Sequence, residues 1–438
     1  LEGMIKLKKI MLALMVLILV LAGCSGNSGK TKTTEDGKTV ISFWHNLDGD
    51  NAVTLKGIIK KFNKQSDSVK INASFQGDIQ QQMRTIGSTD AAPAVFLAGD
   101  TAYFSQSNYI KPVQEMIEND QDFDISQLNE AVISNHSLNG TLSSMPFNVF
   151  VPLLFYNVEL FKEAGMDPEN PPQTFSEIQK AAEKLTSGPE EAPNVYGFSI
   201  PINTSFIYNL FAVQNELVFN NENGRTSEDS TKTFLNSDVG KKIYNWIGDM
   251  YNDGNFGNFG RTWSNTQLAF SSGELAMYLD SSAVAGIWLD TLDFKFKTAP
   301  LPVPEDKEWS GVNQGGSQLW ISNQATEKEQ KAGWEFIKFM VSPEVQSTWA
   351  ASTGYVPVTP KAAEISPLKE TYSKHKQMKK AYDALNNTKP SPATAGPSID
   401  EVEVSNVIAQ SFEKLVQGED TEKVLSEAEK KINKLLQK

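Results

Sequence analysis

An alternation near the start of the chain constrains the fold most. Residues 40–44 read VISFW, a short apolar run of the buried-strand type. Leu55, Ile58, Ile59 and Phe62 then fall at i, i+3, i+4 and i+7, the stripe of an amphipathic helix. Val69, Ile71, Ala73 and Phe75 alternate as a strand does. The polar helical stretch IQQQMRTI follows, and then the short strand AVFLA at 94–98. Strand, helix, strand, helix, strand is the rhythm of an α/β unit with a mainly parallel sheet, because parallel neighbours need a crossover long enough to hold a helix.

The rhythm resumes downstream. An apolar, β-branched and aromatic run at 151–156 precedes a helix at 158–164, closed by Gly165. Thr174-Phe175-Ser176-Glu177 is a capping box, with Ile178, Ala181, Ala182 and Leu185 as the stripe behind it. LAMYL at 275–279 and Leu319-Trp320-Ile321 read as strands. EKEQKAGWEFIKFM reads as a helix, and Ser342-Pro343 restarts one, since proline is tolerated at the first helical position. The tail from 402 to 438 reads as helix, Gly418, helix. Some 400 residues exceed one compact core and imply two or more domains. Yet no Gly/Ser/Pro linker divides the chain after residue 40. Two domains without a linker imply a chain that passes between them more than once.

The amino-terminal end has a different character. Lys6, Lys8 and Lys9 precede an unbroken apolar run at 10–21, then Ala22, Gly23 and the single cysteine, Cys24. A basic stretch, an apolar stretch and small residues form the signature of a secretory signal peptide, assigned to 1–23. Twelve helical residues rise only about 18 Å, too short for a comfortable membrane span. Leu21-Ala22-Gly23-Cys24 resembles the bacterial lipobox, which implies a lipid on the Cys24 sulfur and an extracytoplasmic protein held to the cell membrane by that anchor alone. Residues 24–39 lack an apolar run and are expected to form a flexible tether. A catalytic role for Cys24 finds no nearby base. With one cysteine there is no intramolecular disulfide, so stability must come from large cores. The net charge of −13 argues against nucleic acid as a partner. His45, His136 and His375 are scattered without metal-ligand spacing, so neither a metal site nor a cofactor is expected.

Seven phrases occur in order: VISFWHN, FQGDIQQQM, AAPAVFLAGD, MPFNVFVPLLFYNVELFKEAGMDPENPPQTFSEI, SSGELAMYLDSS, NQGGSQLWIS and STGYVPVT. Together they resemble the family 1 extracellular solute-binding proteins of ABC importers, similar to the maltodextrin- and glycerol-3-phosphate-binding members, across roughly 38–436. The resemblance implies an α/β, two-lobed periplasmic-binding-protein-like fold with three interlobe crossovers, near 149–151, 298–300 and 341–345. One lobe would comprise 40–148 plus 300–341, the other 152–297 plus 345–438. It implies a monomeric receptor that captures a small molecule in the interlobe cleft and delivers it to ABC permease subunits.

In open α/β sheets, ligands sit beyond the carboxyl ends of the strands. That rule selects His45, Asn46 and Asp48 after the first strand, Asp78 and Ile79 after the second, and Asp100 after the third. It also selects Asn148 and Phe150 at the first crossover, Asp280, Ser281 and Ser282 after LAMYL, Gly315 and Gly316 before QLWIS, and Tyr355 after a later helix. The set suits a sugar: acids, amides and hydroxyls pair with ligand hydroxyls, while Phe150, Tyr355, and Trp263 or Trp309, offer ring faces. Each has a plainer structural alternative. Asp100 and Asp280 are otherwise helix N-caps, Gly315-Gly316 otherwise a tight turn, and His45 otherwise a hydrogen-bonded loop residue. Trp44, Trp320, Trp334 and Trp349 read as core.

One departure bears on the ligand. Glycerol-3-phosphate binders of the family carry an arginine in a glycine-containing loop before the penultimate helix. The matching stretch here, PATAGPSIDEVEVSN, has no arginine or lysine, and the tryptophan pair of that subfamily is replaced by Ile202 and Ser205. Carboxylates without a base make a poor dianion site. The expected ligand is therefore an uncharged sugar or short oligosaccharide. The alternatives are glycerol-3-phosphate or a phosphodiester, a surface glycosidase acting through Asp78, Asp100 and Asp280, and an adhesin or signalling receptor using the same cleft.

Overall fold

The computed structural model describes residues 31–399 and 402–437. The signal peptide, Cys24 and the first part of the tether lie outside the described residues. Twelve strands are named here: β1 Thr39–His45, β2 Val69–Phe75, β3 Val95–Ala98, β4 Ile110–Lys111, β5 Ser137–Leu138, β6 Thr141–Leu142, β7 Met145–Phe150, β8 Pro152–Asn157, β9 Tyr196–Ser199, β10 Leu275–Ser281, β11 Phe296–Ala299 and β12 Gly315–Ser322. They form two larger sheets and the small hairpin β5–β6.

The first sheet runs β2-β1-β3-β12-β4, with β7 also paired to β12. β1 is parallel to β2 from Thr39↔Val69 to His45↔Phe75, and parallel to β3. Helices Gly49–Gln65 and Ile79–Ile86 make the two crossovers this requires. The first buries Leu55, Ile58, Ile59 and Phe62, the expected stripe. β12 is antiparallel to β3, β4 and β7, an orientation no apolar pattern specifies. β3 and β12 are covered on both faces. Val95, Leu97, Leu319 and Ile321 join the large core, while Phe96, Ala98 and Trp320 join a smaller one with Ile79, Met83 and Phe104. Burial on both faces is why VFLA and LWI read as unbroken apolar runs.

The second sheet runs β11-β8-β10-β9. β8 is antiparallel to both neighbours, and β10 is parallel to β9. All six residues of β8 and all seven of β10 are buried. The lobes are built on these two sheets. The chain passes from the first sheet to the second at Val151 and returns to the first between β11 and β12, and helix Glu327–Met340 packs on β1 and β12.

Local chemistry agrees with the sequence at several element ends. The Thr174 hydroxyl accepts from Glu177 N (3.3 Å), and the Glu177 carboxylate accepts from Thr174 N (3.1 Å). Pro343 opens helix Pro343–Thr353. Trp320, Trp334 and Trp349 are buried, whereas Trp44 is half-buried against the smaller core.

Two expectations need correction. The tether does not extend to residue 39: Thr33 pairs with Thr39, Val40 N donates to Lys32 O (2.8 Å), and the Thr31 and Thr326 hydroxyls bond at 2.7 Å. Backbone pairing to β1 replaces the apolar burial that this polar stretch lacks. The alternation in β2 also fails beyond Ile71, because β2 is an edge strand and Ala73 and Phe75 emerge into solvent.

Candidate functional site

The carboxyl ends of β1, β2 and β3 converge with the start of β12 and the first crossing. Gln76 N donates to His45 O (2.8 Å), which ties the ends of β1 and β2 together. The His45 ring lies between Phe43 and Phe75, with centroids at 5.8 and 6.2 Å. Burial pushes its pKa down, so it is neutral at pH 7. Its Nδ1 is buried with no partner among the described residues. Phe75 is 56% exposed beside it. Sequence reasoning missed Phe75 by counting it into the buried face of β2. Asn46 and Asp48 are exposed after β1.

Asp78 caps helix Ile79–Ile86, accepting from Gln81 N (3.0 Å), and stays exposed. Ile79 does not face the site; its side chain is fully buried in the smaller core, since the helix must cover Phe96 and Trp320. Asp100 takes a left-handed conformation (φ 66°), accepts from Tyr103 N (3.4 Å) and forms an ion pair with Arg84. The Arg84 guanidinium also stacks 3.6 Å from the Tyr103 ring centroid. Asp100 is thus engaged as both a cap and an ion-pair partner. Arg84 carried no sequence signal, because its partner lies sixteen residues away.

The floor is the β7–β12 pair. The Asn148 Oδ1 accepts from Ser317 N (2.8 Å), and Asn148 also bonds the Tyr355 hydroxyl, which stacks on Trp349 (5.8 Å, 17°). Burial raises the Tyr355 pKa, and the Asp48 carboxylate nearby raises it further. Val149 bridges Val356, holding the Tyr355 loop against the crossing. Gly315 and Gly316 are not in a turn before β12; they are its first two residues, paired with Phe150 and Val149 just ahead of a register shift between Ser317 and Gln318. A Cβ on Gly315 would come within 2.3 Å of the Phe150 ring, and one on Gly316 (φ 137°) within 2.0 Å of Asn148 O. Both glycines are needed for close packing, and the half-exposed Phe150 ring lies over the first. Phe150 meets Trp263 edge-on at 6.4 Å, and Trp263 meets Phe206 at 5.0 Å. Of the two optional tryptophans, Trp263 joins this row and Trp309 does not.

On the second sheet, Ser282 fixes the crossing: its N donates to Val151 O (2.9 Å), and its hydroxyl accepts from Val151 N (3.2 Å). The Ser281 hydroxyl accepts from Ala283 N (3.1 Å). Asp280 is fully buried, accepting from Gln267 Nε2 (2.9 Å) and Ser281 N (2.7 Å). Burial raises its pKa to about 7. It therefore touches no open cleft, because it lies within β10, whose seven residues are all buried.

The structure thus gathers His45, Phe75, Asp100, Asn148, Phe150, Trp263, Gly315, Gly316 and Tyr355 around the junction of the two sheets. It places the Ile79 side chain and Asp280 in the interior.

The family described as bacterial extracellular solute-binding protein matches residues 57–380. The sn-glycerol-3-phosphate-binding periplasmic protein UgpB of Yersinia pseudotuberculosis is 28% identical over 395 residues, 87% of this chain and 89% of its own. The fold is shared with the cyclic alpha-maltosyl-1,6-maltose binding protein of Arthrobacter globiformis (TM-score 0.76, 22% identity, 91% of this chain and 99% of that one). It is shared too with UgpB of Mycobacterium tuberculosis in complex with glycerophosphocholine (TM-score 0.74, 17% identity, 92% and 99%).

Proposed function

Because the chain belongs to the bacterial extracellular solute-binding proteins, we propose that it is the receptor of an ABC importer that captures an uncharged sugar or short oligosaccharide between its lobes. The lobes comprise 40–148 plus 300–341 and 152–297 plus 345–438, hinged at the three crossings. Ligand bonds made from both lobes exist only in the closed form, so binding shifts the hinge population toward closure. A ligand touching one lobe alone would shift nothing.

The observation that carries the sugar reading is the pair of half-exposed rings Phe150 and Trp263, backed by the buried Phe206, beside the Asn148–Tyr355 pair. Rings take the C–H faces of a pyranose, and amide and phenol groups take its hydroxyls. His45, Asn46, Asp48 and Asp78 line the first-lobe side, with Ser281 and Ser282 at the hinge. The likeness to the cyclic maltosyl-maltose binding protein supports the same ligand class. A phosphate-bearing glycerol compound is the second reading, favoured by the UgpB relatives. Against it, the cation nearest the strand ends, Arg84, is engaged by Asp100. Binding rather than hydrolysis is supported by the family, and, of the three acids Asp78, Asp100 and Asp280, the second is ion-paired and the third shut off from solvent.

The receptor works as a monomer on the outer face of the cell membrane, held by a lipid on Cys24, and hands its ligand to permease subunits. Calorimetry against maltose, maltotriose, cyclic maltooligosaccharides, glycerol-3-phosphate and glycerophosphocholine tests the ligand class. The expected result is a neutral saccharide bound near 1 μM, about 8 kcal/mol, with the phosphates weaker. Tighter binding of either phosphate would replace the first reading by the second.

A further inference from the structure

Four consecutive residues, Asn221, Glu222, Asn223 and Gly224, have φ of 52°, 54°, 63° and 72°. A non-glycine residue in the left-handed region meets a steric penalty, so such a run persists only when its surroundings hold it. Asn223 is 1% exposed and supplies that hold. Its Oδ1 accepts from Val218 N and Phe219 N, both at 2.9 Å. Its Nδ2 donates to Pro392 O (3.0 Å), and its carbonyl accepts from Ser398 N (2.9 Å). One side chain and its own carbonyl thus grip both ends of the segment 392–398. A Cβ on Gly224 would come 2.7 Å from Ser398 O, so the two backbones touch there.

The turn delivers Arg225 into a ring of carbonyl oxygens. Nη1 donates to Ala395 O (3.2 Å) and Gly396 O (3.0 Å). Nη2 donates to Ser134 O (3.0 Å), Ser137 O (2.9 Å) and Asn135 O. Ser134, Asn135 and Ser137 stand at the carboxyl end of helix Glu130–His136, where backbone oxygens lack intrahelical donors and carry the negative end of the dipole. Burial lowers the guanidinium pKa only to about 10, so the charge is kept at neutral pH.

The segment held in this way borders the ligand junction. Asn313 Nδ2 donates to Ala395 O (2.9 Å), and a Cβ on Gly396 would come 2.0 Å from that amide. Asn313 stands two residues before Gly315, which packs on Phe150. Other polar bonds follow the same seam: Asn135 Nδ2 to Ala395 O (2.9 Å), and Gln314 Nε2 to Ala131 O (2.8 Å).

We propose that Asn221–Arg225 is a cradle and that Arg225 is a positioning residue. It fastens the wall segment 392–398, assigned above to the second lobe, to helix Glu130–His136 of the first, and so serves as a pivot contact that both lobes share beside the cleft. This rests on the two-lobed hinge reading above but on no particular ligand. One planar guanidinium reaching five oxygens is a task for arginine, because an ammonium has no rigid fork.

Amide hydrogen exchange on the ligand-free full chain tests it. In Arg225→Ala, exchange rises at least tenfold in both 130–138 and 392–399 together, with β1 to β3 unchanged, and millimolar methylguanidinium restores protection in both. Loosening of one segment alone, or no restoration by methylguanidinium, overturns the proposal. If Arg225→Ala does not fold, Arg225→Lys serves. Concerted loosening of both segments supports the proposal, and wild-type protection overturns it. No sugar enters the measurement, so its failure would leave the ligand reading untouched, and a wrong ligand would leave this result intact.

Discussion

Asp280 sits where the strand-end rule expects a ligand contact, yet its carboxyl is closed in by Gln267, Ser281 N and the Tyr278 side chain. Its pKa is raised from 3.8 to about 7, so the protonated form carries the stability. That contribution is fully present below the unfolded value and is lost as pH rises through the folded one, on the order of 4 kcal/mol across the window. Asp280→Asn mimics the protonated group. Denaturant titrations at several pH values should show the wild type losing stability from acidic to neutral pH and the variant losing much less. At Trp263 the expected outcome concerns binding. Trp263→Ala removes the ring beside Phe150, and calorimetry should show at least a tenfold loss of affinity, about 1.4 kcal/mol, for the saccharide bound best by the wild type. Side-chain burial of this kind was hardly legible in the sequence. Asp280 and Asp100 look alike as acids after apolar strands, but Asp280 lies inside the wholly buried strand β10, whereas Asp100 lies two residues past the end of β3 and caps the next helix. Arg84 and Arg225 gave no signal because their partners are distant in sequence.

Elements were far more legible, since each is specified by its own neighbours in the chain. Helices Gly49–Gln65 and Glu327–Met340 follow from their 3.6-residue stripes, and the Thr174 capping box from four adjacent residues. Thr174→Ala should cost about 1 kcal/mol in thermal or chemical unfolding, without changing ligand affinity. The start of β12 shows the limit of such reading. The sequence suggests that Gly315-Gly316 let backbone amides approach a ligand, with a tight turn as the alternative, but the requirement for glycine comes from Asn148 and Phe150 on the neighbouring strand. Gly316→Ala puts a Cβ against Asn148 O at a backbone angle that alanine resists, so it should unfold at markedly lower denaturant. Gly315→Ala meets a ring that can swing aside. It should reduce affinity more than stability, which calorimetry and unfolding curves on the same sample would separate. The antiparallel entry of β12, and the left-handed turn at Asn221–Gly224, had no local signature at all.

At the scale of the molecule, the missing linker was the informative feature. A chain with two sheets and no divider must cross between them, and it does so at Val151 and between β11 and β12. Ser282 clamps the first crossing, and the Val149–Val356 bridge ties the Tyr355 loop to it. That arrangement suits closure of two stiff halves around a ligand. Small-angle scattering of the full chain, with and without a saturating amount of the tightest-binding neutral saccharide, tests this most directly. Grip from both lobes predicts a smaller radius of gyration and maximum dimension when the sugar is bound. Saturable binding of the sugar with an unchanged scattering profile would contradict it.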